Sequence, residues 1–165
     1  MHQHIEWPKD CEMLYPLLEK SLAALVEDSP PISALSIAAS LLWDALRDIN
    51  WVGFYLLKRE TLYLGPFQGK TACVEIPMGR GVCGTAAASK TIQIVKDVHQ
   101  FPGHIACDSA SNSEIVLPLM KDGNLLGVMD IDSPLLGRFD QCDAAGLTKL
   151  CDILMARVDW SNGLL

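Results

Sequence analysis

No apolar run in this sequence approaches the ~20 residues that a membrane-spanning helix needs. The N-terminus, MHQHIEWPKD, lacks a basic stretch followed by an apolar one, so no secretory signal is expected. Lysine and arginine gather on no segment and the net charge is −7, which argues against nucleic acid and anionic membrane as partners. No cysteines stand as CxxC, and none is spaced against histidine as in a zinc finger, so no metal site is expected. Without an export signal the chain is assigned to the cytoplasm. Thiols stay reduced there, and the 6 cysteines do not read as a disulfide framework. Repeats, low-complexity tracts and interdomain linkers are also missing, and residues 1–165 read as one domain.

What is present is a core-forming chain: 50% of residues are hydrophobic and 20% charged. Residues 1–12 are polar and expected to fray, with His2 and His4 inert in the tail. Leu14, Leu18, Leu22 and Leu25 form a helical stripe, and Pro16 places the start of regular helix near itself. After Asp28-Ser29-Pro30-Pro31, a second stripe runs through Leu35, Ala38, Leu42, Ala45 and Ile49. Short strands follow at 50–57, 61–67 and 72–77, then a small-residue helix over 82–89 and a strand at 91–95. Strands 115–120 and 125–132 flank Asp122-Gly123, a hairpin signal. A last helix spans 140 to about 158, with Leu147, Leu150, Leu154 and Val158 in register. The predicted architecture is α+β. A six-stranded, mostly antiparallel sheet carries the N- and C-terminal helices on one face, and loops form a ligand pocket on the other.

One stretch breaks these periodicities: Val98 to Glu114, VHQFPGHIACDSASNSE, with Cys107 near its middle. A loop that long in a compact domain is usually functional or disordered, and the apolar strand that follows argues for function. Strand alternation then selects its neighbours. Val52, Phe54 and Leu56 suit the helix layer, leaving Trp51, Gly53 and Tyr55 on the other face, two rings with a slot between them. If Met129 and Ile131 join the core, Asp130 and Asp132 emerge beside those rings, with Glu114 a third acid nearby. Clustered acids push one another's pKa up, so the pocket would offer acceptors for an ammonium group together with a proton donor. The plain alternatives are acids that cap a turn at Asp132-Ser133-Pro134 and rings that merely pack.

Cys73, Cys83 and Cys107 fall near loops or element ends. Cys83 opens the short helix, where an N-terminus would depress a thiol pKa. His104 stands close to Cys107 in sequence. Both it and His99 remain open between loop hydrogen bonding and acid/base help. Cys142 and Cys151 read as packing, and Cys11 has no assigned role.

The stretches NWVGFYLL, LYLGPFQGKTACVEIPMGRGVCGTAA, DVHQFPGHIACDSASNSEIVLPL and GVMDIDSP resemble the free methionine-(R)-sulfoxide reductases, a catalytic branch of the GAF-domain fold. The resemblance covers roughly 48–143 and includes three cysteines at the family's spacing. It implies Cys107 as catalytic thiolate and Cys73 and Cys83 as resolving cysteines, in an order left open. It implies Trp51 and Tyr55 around the methyl end of the substrate, with Glu114, Asp130 and Asp132 binding the amino group and supplying the proton. Asp132 is the first choice as donor. It also implies thioredoxin as reductant, no metal or organic cofactor, and a homodimer as one mode of assembly. The competing functions are a GAF module that binds a small ligand for a partner and a thiol redox sensor. With no output segment visible in these residues, the enzyme is favoured.

Overall fold

A computed structural model describes residues 5–105 and 107–163; His2 and His4 lie outside the described residues. In chain order the elements are α1 (Cys11–Val26), α2 (Pro31–Ala45), β1 (Trp51–Lys58), β2 (Thr61–Gly69) and β3 (Glu75–Pro77). They continue with α3 (Gly81–Ser89), β4 (Gln93–Val95), a 3-10 turn (Val98–Gln100), β5 (Ser113–Lys121), β6 (Asn124–Ser133) and α4 (Gln141–Arg157). The strands form one sheet in the order β3-β2-β1-β6-β5-β4, with every neighbouring pair antiparallel.

The two sheet faces do different work. Val52, Phe54, Leu56, Ile115, Leu117, Met129 and Ile131 are buried against α1, α2 and α4. Trp51, Tyr55, Val116 and Val128 form a second cluster with Val82, Cys83, Ala86 and Ala87 of α3. The predicted division of side chains between helix layer and pocket face is therefore observed. No helix among the described residues is long and apolar enough to cross a membrane.

α1 begins earlier than Pro16 predicts. Asp10 caps it by accepting from the Glu12 N–H, and Leu14 and Tyr15 are buried before the proline is reached. Pro16 thus sits inside the helix, where tertiary burial offsets the lost backbone bond. Val26 rather than Leu25 completes the buried stripe, and Leu25 is exposed. The lead-in is docked rather than frayed over its described part, because Trp7 Nε1 donates to Asp44 at 2.7 Å. The irregular loop is also shorter than its sequence suggests: a 3-10 turn occupies its first residues, and β5 takes in Glu114.

The largest departure concerns Cys11 and Cys142, which are joined by a disulfide with Cα atoms 6.4 Å apart. Cys142 is therefore a cross-link between the N-termini of α1 and α4, not a packing residue, and Cys11 gains a role. Cys151 is buried and free, as packing predicts. Beside the bridge, Tyr15 donates to Asp143 at 2.8 Å, and Asp143 also accepts from Arg138 at 3.2 Å and completes the α4 capping box. Gly146 is required there, since a Cβ at that position would fall inside the Tyr15 ring.

The Cys11–Cys142 bridge spans 131 residues of sequence, and closing so long a loop stabilises by about 2–5 kcal/mol. In a Cys73→Ser background, dithiothreitol is expected to lower the Tm, and Cys142→Ser to lower it equally and abolish the dithiothreitol effect. A Tm indifferent to reductant in that background would show that the bridge does not form in solution.

Candidate active site

Strand register builds the site. Across β1, β6 and β5, Trp51 stands opposite Asp132, and Asp132 opposite Glu114; the next row on this face contains Gly53, Asp130 and Val116. These rows floor a cleft with about 520 Å³ of empty space including its open mouth. α3 contributes Gly81, Val82 and Cys83 to the wall, and the loop adds His104, Ile105, Cys107, Asp108 and Ser111. All eight predicted site residues touch the cleft except Cys73, which flanks it beside the lining residue Ala72.

The slot between Trp51 and Tyr55 is not open. The rings are stacked at 5.9 Å, and Phe67 stacks on the far side of Trp51 at 5.4 Å. A Cβ on Gly53 would meet the Phe67 Cβ and come within 2.7 Å of the Trp51 ring. The space over the glycine is filled by the tryptophan itself, and the two buried rings form part of the cleft lining. β-Strand alternation predicts the face but not the ring tilt that closes the gap. The rings also hold the segment bearing Cys73: Trp51 Nε1 donates to the Lys70 carbonyl at 3.1 Å and Tyr55 Oη to the Cys73 carbonyl at 2.9 Å.

Cys73 and Cys107 form a disulfide with Cα atoms 5.8 Å apart. Cys107 is half-buried. Cys83 is free and buried, its Sγ 4.0 Å from Glu114 Oε1. The expected helix-terminus activation of Cys83 fails. Burial first, then the carboxylates of Asp130 and Glu114, push this thiol well above its usual range. The macrodipole of a nine-residue helix does not offset desolvation beside two acids.

Glu114 is raised well above the carboxylate range, by burial first and then by the charges of Asp130 and Asp132. Asp132 is raised by burial and by Asp130 and Asp108. Asp130 is raised by burial to about 6, held down by hydrogen bonds from the Glu114 carboxyl and the Cys83 thiol. All three carboxyls are thus displaced toward their neutral forms, with burial the first cause in each. Side-chain S and O atoms of Cys83, Glu114 and Asp130 lie within 4.8 Å of one another, and all three residues are buried. His104 Nε2 is 3.8 Å from Glu114 Oε2, and burial lowers its pKa, so a neutral imidazole faces the acids. His99 instead bonds Asn112 Oδ1 at 3.0 Å and belongs to the loop's internal structure.

A GAF domain family model matches residues 18–158. The chain is 56% identical over 128 residues to "Free methionine-R-sulfoxide reductase" of Escherichia coli, covering 78% of each chain. It is 52% identical to the protein of the same name from Saccharomyces cerevisiae, covering 73% of this chain and 71% of that one. The chain belongs to the free methionine-R-sulfoxide reductase family, on the GAF fold. A solved structure of the Neisseria meningitidis free methionine-R-sulfoxide reductase, in complex with its substrate, superposes with a TM-score of 0.90 at 42% identity, covering 95% of each chain.

Within this family frame, sequence reasoning missed Asp108 and Ser111 as cleft residues. Their signal was the polar run DSAS directly after Cys107. It also missed Lys70 to Cys73 as the anchor for both aromatic rings.

The raised carboxyls have a thermodynamic consequence. Each binds its proton more tightly folded than unfolded, so each contributes stability that is complete below its unfolded pKa and is lost as pH rises through the folded value. For Asp130 the loss runs from 3.8 to about 6, with Glu114 and Asp132 extending it upward. Unfolding free energy of the ligand-free protein is expected to decline across that range, and Glu114→Gln to flatten the decline. Urea titrations at stepped pH measure both; a flat wild-type profile would contradict the buried protons.

Proposed function

We propose that this chain reduces free methionine-(R)-sulfoxide to methionine, with Cys107 as the nucleophile. The observation that carries this is the Cys73–Cys107 disulfide beside a cleft lined by three carboxyls, of which Glu114 and Asp130 are buried and Asp132 is half-buried. In this cycle the Cys107 thiolate attacks the sulfoxide sulfur while a protonated acid, Asp132, donates to the oxygen. The hydroxyl then shifts from the substrate sulfur to Cys107 Sγ as the transient sulfur–sulfur bond breaks, releasing methionine and leaving Cys107 as a sulfenic acid. The Cys73 thiol condenses with it, forming the disulfide and releasing water. An external dithiol protein, thioredoxin, then exchanges with the disulfide, is itself oxidised, and returns two thiols.

Access supports an order for the resolving cysteines. Cys73 already pairs with Cys107, whereas Cys83 is buried and held as a thiol, so Cys73 resolves first and Cys83 is a reserve. Glu114 and Asp130 bind the substrate ammonium, and Trp51 and Tyr55 pack its methyl end. The requirement for a free amino acid follows from that ammonium, which a peptide-bound methionine lacks. No metal or organic cofactor enters, because the thiols carry both electrons.

The rest of the assignment is a single GAF domain over residues 1–165, acting in the cytoplasm on thiol reductants, as a homodimer. Ile32, Ile37 and Trp43 of α2 are 51%, 39% and 41% exposed and support the pairing of two copies. The raised carboxyls support the proton donor, and the half-buried Cys107 supports exchange with a protein reductant.

Reduced protein incubated with methionine sulfoxide and dithiothreitol or thioredoxin is expected to release methionine from the R epimer and not the S. Cys107→Ser should remove more than about a thousandfold of the rate. Asp132→Asn should lower kcat by about a hundredfold or more with a smaller change in KM, as for a general acid. Chromatographic methionine is the readout. Absent turnover by active, reduced wild type would leave a ligand-binding or redox-sensing GAF module; a KM effect alone would make Asp132 a binding residue.

A further inference from the structure

Asn50 lies immediately before β1, outside the residues assigned to substrate or thiols. Its backbone N–H donates to the Asp132 carbonyl at 2.9 Å. Its side-chain Nδ2 reaches the Cys107 segment, donating to Asp108 Oδ2 at 3.2 Å and to Ser111 Oγ at 3.1 Å. A carboxylate oxygen only accepts, so the amide nitrogen must face Asp108. One residue therefore joins the strand end carrying Asp132 to the residue directly after Cys107.

Asp108 distributes the connection. Its Oδ1 accepts from the Ala110 N–H at 2.9 Å and its carbonyl from the Ser111 N–H, so 108–111 forms a closed turn. The Asn112 N–H donates to the Ser133 carbonyl at 2.8 Å, tying the end of that turn to β6. The downstream side of Cys107 is thus anchored twice. Upstream, from Phe101 to Ile105, the described hydrogen bonds are local turn contacts and the His104–Glu114 approach.

We propose that Asn50 is a positioning residue: its side chain fixes Asp108 and Ser111 so that Cys107 pivots about a stationary downstream end, in line with the acid on β6. This rests on Cys107 being the nucleophile. Sulfur must approach to within near-attack distance of the substrate while Asp132 faces the departing oxygen, and both requirements meet at Asn50. Its amide holds the loop, and its main chain is paired with Asp132. Small misplacements at such a site cost large factors in rate.

The test uses full-length, pre-reduced protein and a single turnover of R-sulfoxide, following methionine release by quenched flow. Asn50→Ala is expected to slow release at least tenfold, with KM within threefold of wild type. Ser111→Ala removes one of the two acceptors and should slow release about threefold. The double variant should be no slower than Asn50→Ala, because both substitutions cut the same tie. A merely structural Asn50 would lower Tm and leave release at 25 °C within twofold of wild type, and that result overturns the proposal. If Asn50→Ala does not fold, Ser111→Ala decides: release at the wild-type rate rejects the tie. Cys107→Ser run in parallel separates the two ideas. If it retains release, the nucleophile assignment falls and the positioning role with it. If it is inactive while Asn50→Ala is normal, only the positioning role falls.

Discussion

The antiparallel register of β1, β6 and β5 is the constraint on which the site depends. It sets Trp51, Asp132 and Glu114 in one transverse row and Gly53 and Asp130 in the next. A slip of one residue in β6 would turn both aspartates into the helix layer and bring Met129 and Ile131 into the cleft. That slip is opposed by the opposite face, where Met129, Ile131, Val52 and Phe54 are fully buried beneath three helices. The apolar core specifies the register, and the register in turn places the acids.

Burying Glu114 and Asp130 with a half-buried Asp132 beside them is costly, and each would rather be neutral than charged in that setting. The molecule accepts this cost at one face of a sheet whose other face is a large continuous core. The helix layer is further tied by the Cys11–Cys142 bridge and by the Tyr15–Asp143–Arg138 chain. These features lie across the sheet from the chemistry. They stiffen the platform rather than shape the pocket.

The two thiol-bearing segments are held in different ways. Lys70 to Cys73 hangs from the Trp51 and Tyr55 side chains, and the Cys107 loop hangs from Asn50. All three anchors come from six consecutive residues, Asn50 and the first five of β1. The central strand is thus both floor and frame, and its aromatic residues cannot be altered without also moving the segment that carries Cys73.

Local sequence was enough for the order of elements, the antiparallel sheet and the division of side chains between its faces. Periods of 2 and 3.6 are short-range properties, and the inward positions of Val52, Phe54, Met129 and Ile131 follow from them. The three acids were legible for the same reason. Pairing of cysteines was not: Cys11 with Cys142 and Cys73 with Cys107 depend on Cα distances between residues 131 and 34 apart, which no local pattern encodes. Nor was the direction of the Cys83 pKa, because helix position argues one way and burial beside Asp130 and Glu114 argues more strongly the other. The filled space above Gly53 and the reach of Asn50 to Asp108 were likewise tertiary facts. The sequence by itself determined which residues share a face; only the packed structure decided which of them touch, because contact and desolvation depend on chain segments distant in sequence.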